Sequence, residues 1–265
     1  YDLEILAAAP KRMIRAGLGD SVCRGVAQVD WLFSHLLLDT PYFESPYDLQ
    51  LVDEPKLFAA APRLLTGDLD AMAALVNTLT LCGLGVVVTG TSHSGSMGEH
   101  SISHFIDMFA KPHPGSLHGE QVGIATMTMA RLQAALLADA TAPVLAPAAL
   151  DEAALEARYG DKAGWCLTAL AAKALDGERL AAANARLERH WDAWRRVLAR
   201  LSVPPVRLEA TLAAAGAATK PAAIDLDPDV YREAVAHAHE IRDRFTFLDL
   251  AAATGRLAAF AAGEG

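Results

Sequence analysis

The sequence predicts an all-α protein built as a multi-helical bundle, and two observations support this fold class. Apolar residues recur three and four positions apart in one segment after another, which is the periodicity of helices with one buried face. The segments end at prolines and glycines, which break helices. With 52% hydrophobic residues, a chain of 265 residues has enough apolar surface for a sizeable core. We expect one helical domain over residues 1–265.

The periodic segments follow one another along the chain. A first helix should begin near Asp20 and bury one face, formed by Val22, Val26, Val29, Phe33, Leu36 and Leu37. Alanine-rich stretches at 133–157 and 208–223, and the apolar run at 187–201, are typical of further amphipathic helices. The triplet at 86–88 fits either a short strand or the buried end of a helix. Turn residues predict breaks at 40–41, 46, 111–115, 142–143, 204–205 and 225–229.

Charge and cysteine content exclude several classes of protein. The chain has 32 acidic and 23 basic residues and no basic run, which argues against a nucleic-acid partner. Cys23, Cys82 and Cys166 form no CxxC pattern, so we expect ordinary thiols in a reducing compartment. The start lacks a secretory signal, and the longest apolar stretch, 79–88, is much shorter than the ~20 residues that span a bilayer. We expect a soluble cytoplasmic protein with no membrane partner.

A glycine-rich turn for a dinucleotide is missing from the sequence. Such a turn follows a strand and opens a helix, because bare backbone lets a pyrophosphate approach the helix N-terminus. No strand followed by GxGxxG occurs, and the glycines of 90–98 do not have that spacing. Cofactor-binding residues are therefore not predicted in this chain.

One helical segment carries a chemically equipped face. His100, His104 and Asp107 are at positions i, i+4 and i+7, so their side chains should project from the same side. A pair of histidines four apart is weak evidence by itself, because such pairs are often surface residues. A proline and glycine loop could return His118 towards the same face. Asp20 is the best candidate for a third hard ligand, and its alternative role is a helix N-cap.

Several motifs together resemble a known family. They are Ala16-Gly17-Leu18-Gly19-Asp20, Asp30-Trp31, the stretch at 89–104, His118-Gly119-Glu120-Gln121-Val122-Gly123, and Ile241-Arg242-Asp243-Arg244-Phe245-Thr246. In this order, over nearly the whole chain, they resemble the C-terminal domain of bacterial and archaeal glycerol-1-phosphate dehydrogenases. The resemblance implies a bundle of the dehydroquinate synthase-like C-terminal type. It also implies an N-terminal nucleotide-binding domain that is absent from this chain.

The resemblance implies a function for the helix face that carries His100 and His104. Asp20, His100 and His118 would hold a divalent metal, with zinc preferred and nickel or iron as alternatives. Together with NAD(P)H bound by the missing domain, the metal would interconvert dihydroxyacetone phosphate and sn-glycerol 1-phosphate, or a related polyol phosphate. His104 would face substrate or nicotinamide as a proton relay, or would only support a metal ligand. Glu99 would orient an imidazole.

Phosphate recognition is expected near Arg24. This arginine follows Asp20 by four residues, and a guanidinium can form bidentate bonds to phosphate oxygens. The alternative is an arginine on a helix surface without a ligand. Arg242 and Arg244 are expected to join surface ion pairs and to have no catalytic role.

The loop at 89–98 departs from the family pattern. The family has arginine, proline and alanine after Gly-Thr-Ser, whereas this chain has His93, Ser94 and Gly95. The hydroxyls of Ser92 and Ser96 could still enclose a substrate or its phosphate. Loss of the family's arginine leaves open another phosphorylated or polyol substrate.

Two other functions remain open. One is a stand-alone helical module that binds a metal or a polyol phosphate without redox activity. The other is a dehydroquinate synthase-like reaction, for which a glutamate and a lysine would be expected in place of Asp20 and Arg24. The apolar excess of the chain is compatible with a homodimer.

Overall fold

A computed structural model describes residues 1–148 and 150–265, and 73% of the chain is helical. No strand occurs in these residues, which confirms the all-α prediction. The helices are α1 Leu3–Ala7, α2 Lys11–Ser21, α3 Arg24–Leu38, α4 Ser45–Asp48, α5 Asp53–Ala60, α6 Leu69–Thr89, α7 Gly98–Phe109, α8 His118–Ala138, α9 Glu152–Tyr159, α10 Ala163–Lys173, α11 Gly177–Leu201, α12 Pro205–Ala214, α13 Pro228–His237, α14 Phe247–Ala253 and α15 Leu257–Ala262. Short 3₁₀ helices cover Ala61–Arg63, Ser92–Gly95, Gly160–Lys162, Pro221–Ile224 and Ala238–Ile241.

The helix predicted to begin near Asp20 is in fact two helices. Helix α2 ends at Ser21 and α3 begins at Arg24, so Asp20 lies in the last turn of α2. The N-cap alternative for Asp20 is therefore wrong. The apolar pattern extends further upstream than expected, because Ile14 and Leu18 are buried on the inner face of α2. The predicted face of α3 does pack into the core, where Val26, Val29, Phe33 and Leu37 are buried.

Both alanine-rich stretches contain shorter helices than predicted. Helix α8 ends at Ala138 and α9 begins only at Glu152, and prolines at 143 and 147 lack the N–H that a continuous helix needs. Helix α12 covers only the first part of the stretch at 208–223. The run in α11 is amphipathic as predicted, with Leu187, Trp191 and Leu198 buried.

Helix α6 is more apolar than the interrupted stretch at 79–88 suggested. It contains the valine triplet at 86–88, so the strand alternative is wrong. By length and composition it could cross a membrane, and 33% of its most apolar window is buried. One such helix is weak evidence, since core helices of soluble proteins have the same length and composition.

Helices α2 and α8 cross in direct backbone contact. A Cβ atom added to Gly119 would lie 2.0 Å from the carbonyl oxygen of Ala16, and one added to Gly19 would lie 2.1 Å from the carbonyl oxygen of Gly119. A Cβ atom added to Gly123 would lie 3.0 Å from the Cα atom of Gly19. Only glycine leaves room for two backbones at this separation. The crossing brings the end of α2 beside the start of α8.

A buried carboxylate joins four parts of the bundle. Asp30, on α3, is fully buried. It accepts hydrogen bonds from the backbone N–H of Gly98 at 3.0 Å and of Phe247 at 3.1 Å, and from the side-chain amide of Gln133 at 3.0 Å. Asp30 therefore fixes the first residues of α7 and α14 relative to α3 and α8.

We expect Asp30→Asn to lower the free energy of unfolding by about 1–3 kcal/mol, because an amide nitrogen would then face an N–H donor in a buried place. Urea unfolding measures the change. The control is Asp192→Asn, on the exposed side of α11, which should change the free energy by about 0.5 kcal/mol or less. Equal losses in the two variants would contradict a structural role for Asp30.

Candidate metal and substrate site

Three side chains from three helices meet at one end of the α2–α8 crossing. Asp20 Oδ1 lies 3.5 Å from His100 Nε2 and 3.9 Å from His118 Nε2, and one donor atom of each residue lies within 4.8 Å of the others. A metal with bonds of about 2.1 Å holds its ligand atoms roughly 3.0–3.4 Å apart. The three residues predicted as ligands are thus together, at a spacing that a small contraction would adapt to a metal.

Each imidazole is held through the nitrogen that faces away from Asp20. His100 Nδ1 is 2.8 Å from Glu99 Oε1, and this carboxylate can only accept, so Nδ1 carries the proton. Ser103 donates its hydroxyl proton to Gln121 at 2.7 Å, so it accepts from His118 Nδ1 at 3.1 Å. In the neutral form of each ring, the Nε2 lone pair then faces Asp20. Hydrogen bonds of this kind orient histidine ligands in metal sites.

The electrostatics of the cluster favour a cation beside Asp20. Burial alone would lower the pKa of His100, but its hydrogen bonds with Asp20 and Glu99 raise it to about 9. Burial opposes ionisation of Asp20, yet the hydrogen bond from His100 holds its pKa below the usual value. The pKa of His118 is lowered by burial and by the charge on His100. A single positive charge is therefore accommodated among these groups.

His104 lies one helical turn after His100 and outside the three-residue cluster. Its ring centroid is 6.0 Å from that of His100 and 5.9 Å from that of His118. Arg242 Nη1 donates to its Nδ1 at 2.8 Å, so the neutral ring carries its proton on Nε2. Burial and the Arg242 charge lower the pKa of His104 to about 4. At neutral pH, His104 is an uncharged N–H donor.

Arg24 is not free to bind phosphate in this structure. Its guanidinium forms a buried two-point ion pair with Glu54, with Nε 2.7 Å from Oε1, and also donates to Gln28 at 2.9 Å. The expectation from sequence placed Arg24 beside Asp20 on one helix. The break between α2 and α3, together with a carboxylate supplied by α5, directs it elsewhere.

Arg242 and Arg244 lie beside the candidate site, where Arg24 was expected. Arg244 donates to the hydroxyl of Ser92 at 2.7 Å and to the carbonyl of Ser96, and Arg242 approaches the Ser96 hydroxyl at 3.4 Å. Neither has a carboxylate partner among residues 1–148 and 150–265, so the prediction of surface ion pairs is wrong. Their segment was already part of the family resemblance, and this was the available signal.

Several of the expected site residues line two cavities. A cavity of about 290 Å³ is lined by side chains that include Asp20, His100, Ser92 and Ser96. A neighbouring cavity of about 550 Å³ is lined by residues that include His104, Arg242 and Trp165. Of the predicted residues, His118, Glu99 and Arg24 line neither cavity.

His93 stands where the family pattern has arginine, and its ring packs against Trp31. Its ring lies 5.5 Å from that of Trp31, and its Nδ1 is hydrogen-bonded to the Thr91 hydroxyl. Burial and the nearby Arg244 charge lower its pKa to about 4. His93 is therefore neutral and does not replace the missing positive charge of the loop.

Curated relatives of this chain include enzymes that share one name. No protein-family model matches the chain. The glycerol-1-phosphate dehydrogenase [NAD(P)+] of Methanothermobacter thermautotrophicus is 32% identical over 161 residues, which is 60% of this chain and 46% of the relative. The enzyme of the same name from Geobacillus stearothermophilus is 28% identical over 249 residues, which is 92% of this chain and 54% of the relative. The chain spans about half the length of the curated relatives it matches.

Proposed function

We propose that this chain, which is 28% identical to a glycerol-1-phosphate dehydrogenase over 92% of its length, is the metal- and substrate-binding half of such an enzyme. The complete protein would interconvert dihydroxyacetone phosphate and sn-glycerol 1-phosphate, or a related polyol phosphate. NAD(P)H would be held by a nucleotide-binding domain outside residues 1–265. Location in the cytoplasm and assembly as a homodimer are part of the same proposal.

The observation that carries the proposal is the orientation of two imidazoles by Glu99 and Ser103. Because both Nδ1 atoms are committed, a metal that displaces the Nε2 proton of His100 would find the Nε2 atoms of His100 and His118 next to the Asp20 carboxylate. Three protein ligands leave open positions for substrate oxygens. When bound, a divalent ion would supply Lewis-acid polarisation of the substrate carbonyl. Zinc is our first choice, with nickel or iron as alternatives that this ligand set also suits.

The other side chains of the site have distinct tasks in this proposal. His104 is held by Arg242 as the tautomer with a proton on Nε2, so it can donate a hydrogen bond to the reacting substrate oxygen. With a pKa of about 4, it is neutral at physiological pH and polarises this oxygen without adding a positive charge. Glu99 keeps His100 oriented from inside the core, where its own side chain is fully buried.

The test is a reductase assay on the full-length protein, with dihydroxyacetone phosphate and either NADH or NADPH. We expect turnover that stops when a chelator removes the metal and that is much slower with unphosphorylated dihydroxyacetone.

His104→Gln should lower kcat by about 100-fold and keep about one equivalent of metal, as expected for loss of a positioned hydrogen-bond donor. Metal and cofactor binding without turnover would instead support a binding module without redox activity.

A further inference from the structure

Two guanidinium groups converge on the turn at 92–96 without an acidic partner. Arg244 contacts the Ser92 hydroxyl and the Ser96 carbonyl, while its buried Nε has no hydrogen-bond partner among the described residues. Arg242 contacts the Ser96 hydroxyl and His104. The only acidic residue between the two arginines, Asp243, is exposed and makes no ion pair with either of them in the described chain.

Two other arginines in the described residues are neutralised by carboxylates. Arg24 forms a two-point pair with Glu54, and Arg131 forms one with Glu264. Withdrawing a charge from water without a partner is costly, and two like charges side by side increase the cost. This cost is apparent at Arg244, where burial and the neighbouring Arg242 charge lower the pKa to about 10. A bound dianion would remove it.

We propose that Arg242 and Arg244, together with the hydroxyls of Ser92 and Ser96, bind the phosphate monoester of the substrate. The proposal rests on the proposed function, since it assigns the phosphate end of that substrate. Guanidinium groups suit a phosphate because their N–H donors match its oxygens in pairs. Serine hydroxyls add short donors to the same anion.

The location of this arginine–serine subsite fits a small substrate. Arg242 is hydrogen-bonded to His104, and the His104 ring lies about 6 Å from the rings of both histidines that would hold the metal. Ser92 and Ser96 line the same cavity as Asp20. A phosphate at the arginines would therefore leave the reacting carbon of a three-carbon substrate close to His104. Arg24 has no comparable position, because Glu54 occupies its donors.

Phosphate could also come from the cofactor, since a dinucleotide contains a pyrophosphate. We favour the substrate because the subsite adjoins the metal-binding cluster and the hydroxyl-bearing turn. Competition distinguishes the sources. Bound inorganic phosphate should be displaced by sn-glycerol 1-phosphate and not by NADH. Displacement by NADH alone would overturn the assignment to the substrate.

Calorimetric titration of the full-length protein with inorganic phosphate tests the subsite directly. The double variant Arg242→Gln and Arg244→Gln should raise the phosphate Kd by about 100-fold, since each lost charged hydrogen bond weakens binding by about tenfold or more. The phosphate Kd of Arg244→Lys should lie between those of wild type and the double variant, because lysine keeps the charge and loses the paired donors. The matched control, Arg195→Gln, removes an arginine paired with Asp192 on the surface of α11 and should leave the Kd unchanged.

Two further arms keep the result unambiguous. Asp20→Ala should bind phosphate within about threefold of wild type, because the guanidinium groups and not the metal hold the anion. Thermal unfolding verifies that each variant is folded. Unchanged phosphate affinity in the folded double variant, loss of phosphate binding in Asp20→Ala, or no binding by wild type would each refute the subsite. Phosphate binding through the arginines without any reductase activity would refute only the proposed reaction.

Discussion

Combined replacement of Asp20 and His118 by alanine is expected to reduce bound transition metal from about one equivalent to nearly none, because only one of three protein ligands remains. Reductase activity should fall to background, since the substrate carbonyl would lose its Lewis acid. Elemental analysis after dialysis measures the metal, and the assay with dihydroxyacetone phosphate measures the activity.

The control for this double variant is His190→Ala. His190 is exposed on α11, where it stacks on Trp194, far along the chain from the cluster. It should keep full metal content and activity. Full metal content in the folded double variant would place the metal elsewhere, and the assignment of Asp20 and His118 would then be wrong.

Gly119→Ala is expected to destabilise the protein by about 3 kcal/mol or more, the upper range for overpacking. The new Cβ atom would lie 2.0 Å from the carbonyl oxygen of Ala16, and backbone atoms cannot rotate away as a flexible side chain can. Helices α2 and α8 would have to separate. Because these helices carry Asp20 and His118, the variant should also bind metal more weakly. Urea unfolding and elemental analysis measure the two effects.

Gly164→Ala provides the matched control. Gly164 lies in α10, and a Cβ atom added there has no neighbour within 4 Å. Alanine should stabilise this helix by about 0.5–1 kcal/mol, because glycine loses more backbone entropy on folding. If Gly119→Ala proved as harmless as Gly164→Ala, the close approach of α2 and α8 would be incorrect.

Local spacing allowed part of the site to be predicted from the sequence. His100 and His104 are one helical turn apart, so their common face follows from helix geometry alone. That His118 and Asp20 meet beside them was expected from the proline and glycine loop before His118 and from the family resemblance, and helix spacing alone does not give it. The contact depends on the glycine-mediated crossing of α2 and α8, and no periodicity within either helix reveals which glycines will face each other.

The arginines show where local reasoning failed. Arg24 was placed near the substrate because it follows Asp20 by four residues, but a helix break intervenes and Glu54 takes its donors. Arg242 and Arg244 were expected to join surface ion pairs because they follow Ala238 and Glu240 by four residues. Their true neighbours, including Ser96, are about 150 positions away in the sequence. Choosing between Arg24 and the pair Arg242 and Arg244 as the proposed phosphate-binding group required tertiary contacts.

The separation of the three candidate ligands along the chain also affects how metal and folding are coupled. Asp20, His100 and His118 converge only after α2, α7 and α8 have packed, so the unfolded chain offers a metal no comparable set of ligands. Metal binding would then stabilise the folded state relative to the unfolded chain, by about 2.7 kcal/mol when free metal is at 100 times its Kd. The melting temperature should consequently rise with the concentration of free metal, and in metal-starved cells the same protein would unfold more readily.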